Sequence, residues 1–152
     1  MEKIVVNTAF GHVKIEAEHQ SIRRLDLTNE PILSSNSPVL NRAADQIRRY
    51  FDGESIAFDL PLNPTGTPFQ CAVWQALTEI PYGETRSYQD IAKSIGNIKA
   101  VRAVGGAVNK NPIMIVIPCH RVIGKDGSLV GFYGGLDLKQ RLLNLEKAGH
   151  HE

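Results

Sequence analysis

Apolar residues recur along the chain with two different periods. Over residues 3–7, 12–18 and 22–28 they alternate with polar ones or cluster in short groups, and Gly11 and residues 18–21 supply turns between them. This spacing predicts three strands. From Ser37 the period lengthens. Ser37 stands as an N-cap with Pro38 at the first helical position, and Leu40, Ala43, Ala44, Ile47 and Phe51 keep one apolar stripe until Gly53. That is a helix with a legible start and stop. Residues 55–60 read as one more strand. The run of turn residues PLNPTG at 61–66 then marks a boundary, giving an α/β domain over residues 1–63 and a second domain over 64–152.

The second domain reads as mainly helical. Thr67-Pro68-Phe69-Gln70 has the form of a capping box, and Phe69, Val73, Ala76 and Leu77 predict its buried stripe, with Pro81 as the stop. Cys71 and Trp74 on this helix read as core. Ser87 and Asp90 cap a helix running to about residue 95, Gly96-Asn97 makes a turn, and a second helix runs over about 99–109. Two short helices joined by a glycine turn fit a helix-turn-helix. On the second helix Val101, Val104 and Val108 face inward, while Arg102, Gly105, Gly106 and Asn109 share the other side. Each mid-helix glycine costs about 1 kcal/mol against alanine, so the pair wants a reason, and close approach of another backbone is one. A neighbouring helix and a nucleic-acid groove both offer that approach. The β-branched run 113–117, bounded by Pro112 and Pro118, predicts a short buried strand. The last helix, about 136–147, is expected to bury Leu138, Leu142 and Leu145, with Glu146 at the edge of the stripe.

Cys119, His120 and Arg121 follow Pro118 directly, where the chain must turn. A thiol, an imidazole and a guanidinium together make a poor core, because several polar groups cannot be buried cheaply. They suit a nucleophile with a base beside it, since nearby cationic groups raise the thiolate fraction. A lone buried Cys acting as a small hydrophobe is the competing reading.

Charge sharpens this picture. The chain of 152 residues carries a net +1, yet residues 86–125 hold seven Lys or Arg against the single acid Asp90, a local +6. A basic surface of that kind can meet phosphates. No apolar run approaches the roughly 20 residues that span a bilayer. The N-terminus lacks a secretory pattern. Two cysteines make no disulfide framework, so a cytoplasmic, reducing setting is expected. No Cys/His cluster has metal-ligand spacing.

The segment NPIMIVIPCHRVIG at 111–124 resembles the active-site signature of the O6-alkylguanine-DNA alkyltransferases. The strings TPFQCAVWQAL, IPYGETRSYQDIA, RAVGGAVNKNP and LLNLEKAG extend the resemblance over about 67–149. It implies an N-terminal ribonuclease-H-like α/β domain and a mainly α C-terminal domain whose helix-turn-helix is winged-helix-like. It also implies stoichiometric transfer of an alkyl group from O6-alkylguanine in double-stranded DNA to Cys119, with O4-alkylthymine as a second candidate substrate. By the same resemblance, Glu146, His120 and a water activate Cys119. Asn111 braces the active-site turn. Arg102 fills the stack left by a flipped base, as chemistry on a stacked base requires, and Tyr88 crowds the phosphate and returns a proton to guanine. Ser87, Ala103, Gly105, Gly106 and Arg121 complete the DNA face. Pro118, Val122, Phe132 and Tyr133 line the guanine pocket, with main-chain carbonyls of Cys119 and Val122 reading the base edge.

The family often carries Tyr where Phe132 stands and a small residue where Tyr133 stands, so a hydroxyl is absent at the first position, a ring is added at the second, and the range of alkyl groups stays open. No cofactor or metal, a monomer and no membrane are implied. Without an N-terminal regulatory extension, a plain repair enzyme is expected rather than a transcription activator. A non-catalytic alkyl-DNA sensor and a Cys-His hydrolase of small esters or peptides stay open as alternatives. The first is expected to lack the nucleophile and the second to turn over repeatedly without DNA.

Overall fold

A computed structural model describes residues 1–128, 132 and 135–149. The chain forms two compact units, Met1–Thr65 with Pro112–Met114, and Gly66–Asn111 with Ile115–Glu152.

In the first unit, β1 (Glu2–Thr8), β2 (Gly11–Glu18) and β3 (Ser21–Leu27) form an antiparallel sheet in the order β1-β2-β3. Val13, Ile15 and Ala17 alternate inward along β2, whereas Ile22 and Leu25 of β3 are both buried although three residues apart. A bulge between Glu16 and Ala17 explains this, because the register jumps from Glu16↔Arg24 to Ala17↔Ile22 and reverses the facing of β3. Helix α1 (Pro38–Phe51) covers the sheet, with the Ser37 side chain accepting from the Leu40 amide at its N-terminus. Its expected stripe is buried and Tyr50 joins it. The strand expected over 55–60 does not form. Gln46 of α1 takes the place of a strand partner: its Nε2 donates to the Asp59 carbonyl (3.2 Å) and its Oε1 accepts from the Asp59 amide (3.0 Å).

The second unit contains α2 (Pro68–Leu77), β4 (Arg86–Ser87), α3 (Tyr88–Ser94), α4 (Val101–Asn109), β5 (Val122–Ile123) and α5 (Leu136–Gly149). Thr67 and Gln70 form the expected capping box of α2. The buried stripe of α2 is Val73, Trp74 and Leu77; Phe69 and Ala76 are only half-buried. Trp74 turns the helix this way by donating Nε1–H to the Ala107 carbonyl of α4 at 2.9 Å. On α4, Val104, Ala107 and Val108 are buried, while Val101 is 36% exposed rather than inward. It lies at the end of the stripe, beside the 3-10 turn Ile98–Ala100 that opens the helix. Strands β4 and β5 pair in parallel, Arg86 with Val122 and Ser87 with Ile123.

Two further expectations are corrected. Residues 113–117 are buried but do not run as a strand. Ile113 bridges Leu25 of β3, and the chain then turns at Ile115, whose φ is +73°. Seven extended residues would span roughly 20 Å. Asn111 Nδ2 instead reaches the Ile117 carbonyl at 2.7 Å, which requires the run to fold back. On α5 the buried residues are Lys139, Leu142 and Glu146; Leu138 and Leu145 are half-buried. Two charged side chains occupy the stripe assigned to leucines because each finds partners inside.

Candidate active site

The active-site turn is the 3-10 segment Cys119–Arg121, seated between Pro118 and β5. Its backbone is closed locally. The Cys119 amide donates to the Ile117 carbonyl (2.8 Å), and the Arg121 amide donates to the Pro118 carbonyl (3.0 Å). Because the Asn111 side chain holds that same Ile117 carbonyl, one asparagine fixes the approach to the thiol. It also hydrogen-bonds Cys119 itself.

Cys119 is buried, and burial pushes its thiol up to about 11, against the pull of the Asn111 hydrogen bond and the Lys139 charge. A nearby cation does favour the thiolate, as expected, but burial outweighs it. The Arg121 guanidinium turns away from the sulfur, toward Glu146. The resting group is a neutral thiol, and its proton must leave as the sulfur attacks.

His120 is wholly buried, and its Nε2 pairs with Glu146 Oε2. Burial pulls the imidazole below its usual range, and Glu146 opposes that shift. Glu146 is driven down to about 2 although burial raises it, because His120 and Arg121 both favour the carboxylate. A neutral imidazole fixed by a carboxylate can accept a proton, which is the orienting logic of nucleophile–His–acid triads.

Arg121 was expected on the DNA face, and that placement is corrected. It is 6% exposed, with Nε on Glu146 Oε1 (2.8 Å), Nη2 on Oε2 (3.1 Å) and Nη1 on the Ile80 carbonyl (2.7 Å). An arginine so buried and so engaged presents little of its guanidinium outward.

Lys139 escaped the sequence reading. It is wholly buried on α5, donates to the Val122 carbonyl at 2.5 Å, and lies 5.9 Å from the centre of the Tyr88 ring. Burial lowers its ammonium and the nearby Cys119 raises it. A hydrophobicity pattern cannot reveal such a residue. The available signal was its spacing, seven residues before Glu146, two turns along one face.

Tyr88, the first residue of α3, is half-buried between these groups. Burial and the neighbouring Cys119 raise its hydroxyl, so it stays protonated at neutral pH. A Cβ built on Gly105 would lie 3.9 Å from the Tyr88 ring, while one on Gly106 would meet nothing within 4 Å. The outer face of α4 is therefore bare, and Arg102, Ala103 and Gly106 are exposed along it. Ser87 caps α3, accepting from the Asp90 amide at 3.0 Å.

Pro118, Val122 and Phe132 are buried; Tyr133 lies outside the described residues. The Cys119 and Val122 carbonyls already accept one bond each, from the Val122 amide and from Lys139. Each retains a second lone pair. Thus Cys119, His120, Asn111, Lys139, Tyr88 and Glu146 converge in the second unit, and Arg102 does not join them. Among the described residues, no group of His, Cys, Asp and Glu could hold a metal ion.

Both units resemble known proteins. Residues 1–64 match the family described as 6-O-methylguanine DNA methyltransferase, ribonuclease-like domain, and residues 68–148 match its DNA binding domain. A methylated-DNA–protein-cysteine methyltransferase of Methanosarcina barkeri is 58% identical, over 94% of this chain and 95% of its own. A constitutive one from Bacillus subtilis is 45% identical over 95% and 94%. The OGT protein of Mycobacterium tuberculosis, solved in complex with DNA, superposes with a TM-score of 0.87 at 41% identity, covering 98% of this chain and 94% of that one.

Proposed function

Because the chain belongs to the 6-O-methylguanine DNA methyltransferase family, we infer that it repairs DNA by direct reversal, moving the alkyl group of O6-alkylguanine onto Cys119. The observation that carries this reading is the buried thiol of Cys119 beside a neutral His120 that Glu146 holds by Nε2. With Nε2 so committed, Nδ1 is the atom that takes the thiol proton, through a water. The sulfur forms a bond to the alkyl carbon as the carbon–O6 bond breaks, and the electron pair stays on guanine. The Tyr88 hydroxyl returns a proton to the base. The product thioether is stable, so each molecule acts once, and the step consumes no cofactor.

Double-stranded DNA meets the bare face of α4, where Ala103, Gly105 and Gly106 admit the minor groove. Arg102 enters the stack vacated by the flipped base, because an inserted side chain offsets lost stacking. Ser87 and Tyr88 touch the flanking backbone. Pro118, Val122, Phe132 and Tyr133 wall the pocket for the extruded guanine, with O4-alkylthymine as a second substrate. Residues 64–152 carry this chemistry as a monomer, and residues 1–63 support it. No helix among the described residues is long and apolar enough to cross a membrane. A reducing compartment such as the cytoplasm keeps the thiol usable.

The test is intact-mass spectrometry with peptide mapping after incubation with a duplex containing O6-methylguanine. One added methyl group per molecule, at Cys119, is expected. Cys119→Ala abolishes transfer and retains binding of the duplex. Several methyl groups removed per protein, or transfer surviving in the alanine variant, would overturn the reading.

A further inference from the structure

The arginine of the signature has a place in the fold that the transfer chemistry above leaves unused. Its grip on Glu146 is planar and two-pointed, at 2.8 and 3.1 Å, the geometry for which a guanidinium is suited and an ammonium is not. The third anchor, on the Ile80 carbonyl, fixes the guanidinium in its plane, and the Tyr82 ring lies 5.7 Å beneath it. The Gly83 amide adds a donor to Glu146 Oε1 at 3.1 Å. Glu146 Oε2 is thus shared between His120 and Arg121, and Oε1 between Arg121 and Gly83.

We propose that Arg121, seated on the Tyr82 ring, is a positioning residue for alkyl transfer: it holds the Glu146 carboxylate aimed at His120 and thereby keeps His120 ready to accept the thiol proton. The proposal rests on the transfer reading above. A buried carboxylate whose only charge-bearing partner is an imidazole gains most when that imidazole is charged. An imidazolium has no lone pair left for the thiol proton. With Arg121 supplying the compensating charge, the carboxylate orients His120 without requiring it to be protonated. The groups acting on His120 are Glu146 and Lys139 from α5 and Arg121 from its own turn, with Cys119 adjacent in sequence. Tyr82 acts on Glu146 from the loop after α2, and Lys147 borders the same cavity as Glu146. Glu146 favours the imidazolium; Arg121 and Lys139 oppose it. Removing Arg121 tips this balance toward a charged His120.

The experiment measures the single-turnover transfer rate on a saturating O6-methylguanine duplex between pH 5.5 and 9. It compares the wild type with Arg121→Lys, Arg121→Met and Tyr82→Leu, and records duplex affinity against salt for each. In Arg121→Met the midpoint of the acid limb moves up by about one pH unit, which is about tenfold in rate at a given pH on that limb. Rates converge with the wild type toward pH 9. Arg121→Lys shows a smaller shift, because it keeps the charge and loses the fork, and Tyr82→Leu a smaller one still. The salt slope of binding is unchanged. If Arg121→Met does not fold, the other two variants carry the test.

A loss of rate by the same factor at every pH would reduce Arg121 to packing and overturn the proposal, as would unaltered profiles. A salt slope lower by about one would make Arg121 a phosphate contact instead. A wild type that transfers nothing would remove the transfer reading and this inference with it. A wild type that transfers normally, with unshifted variants, would remove only the inference.

Discussion

The two units of the chain build their interiors from different materials. Among the described residues, the first unit buries aliphatic and aromatic side chains with only Ser37 and Gln46 as polar company. The second also buries apolar side chains, Trp74, Leu77 and Val104 among them, but adds Asn111, His120, Arg121, Lys139 and Glu146 around one cysteine. An apolar interior stabilises by about 25 cal/mol for each Å² removed from water. A buried ion network brings no such gain, because desolvation consumes most of what the charges return. The polar cluster of the second unit is therefore not explained by stability. Its charges are held where a thiol, a base and the developing guanine anion need fixed partners, and each is satisfied by a named atom. The first unit is an apolar core throughout, and the second holds a reaction site beside an apolar core of its own.

Removing one charge from the second interior breaks the contrast most strongly. Glu146→Gln leaves Arg121 without its anion, and losing one partner of a buried pair costs about 3–5 kcal/mol. It also slows transfer by releasing His120. The sign of its pH dependence is fixed. The Glu146 carboxyl sits at about 2 in the folded protein against an ordinary 4.5, so its contribution is complete above about 4.5 and disappears as pH falls through about 2. Urea unfolding of wild type and variant should differ most at neutral pH and converge near pH 2. A gap that persists undiminished in acid would mean that the carboxylate's charge is not what the network uses.

The matching change in the first interior is Ile15→Ala. Ile15 is wholly buried on β2, and such truncations cost about 2–5 kcal/mol through lost transfer energy and the cavity left behind. The loss should vary little between pH 5 and 8, and molecules that remain folded should keep the wild-type pH profile of transfer. A shifted profile would show that the two interiors are not functionally separate.

How much of this was legible in the sequence follows from the same contrast. Periodicity located the three strands, α1 and the capped helices because apolar side chains and caps govern those elements. It placed leucines in the stripe of α5 where Lys139 and Glu146 lie, since a charged residue registers as surface unless its partner is known. Lys139 finds the Val122 carbonyl and Glu146 finds His120 and Arg121, all distant in sequence. The run 113–117 misled for a related reason. Its composition suits a strand, but the Asn111 side chain closes it into a loop and carries Ile115 into the left-handed region. Likewise 55–60 has strand composition, yet the Gln46 amide takes the pairing groups of Asp59. The bare face of α4, by contrast, was readable, because glycine declares itself by what it lacks.

The smallest effect sharpens the comparison by placing the same residue type in both units. Ser37 caps α1 through a long bond of 3.4 Å to the Leu40 amide. Ser87 caps α3 through a reciprocal pair, accepting from Asp90 N at 3.0 Å while its own amide donates to Asp90 Oδ2 at 2.9 Å. Cap removal costs about 1 kcal/mol, so Ser87→Ala should lie at or above that figure and Ser37→Ala below it. The Ser87 amide also holds the Asp90 carboxyl below its usual range, so the box is intact above that range and weakens as pH falls below it. Binding separates the two variants further. Ser37→Ala should leave duplex affinity unchanged, whereas Ser87→Ala should lower it, because α3 begins at Tyr88, next to the DNA face. Equal affinities in a fluorescence-anisotropy titration would confine Ser87 to capping and narrow the DNA face to Tyr88 and α4.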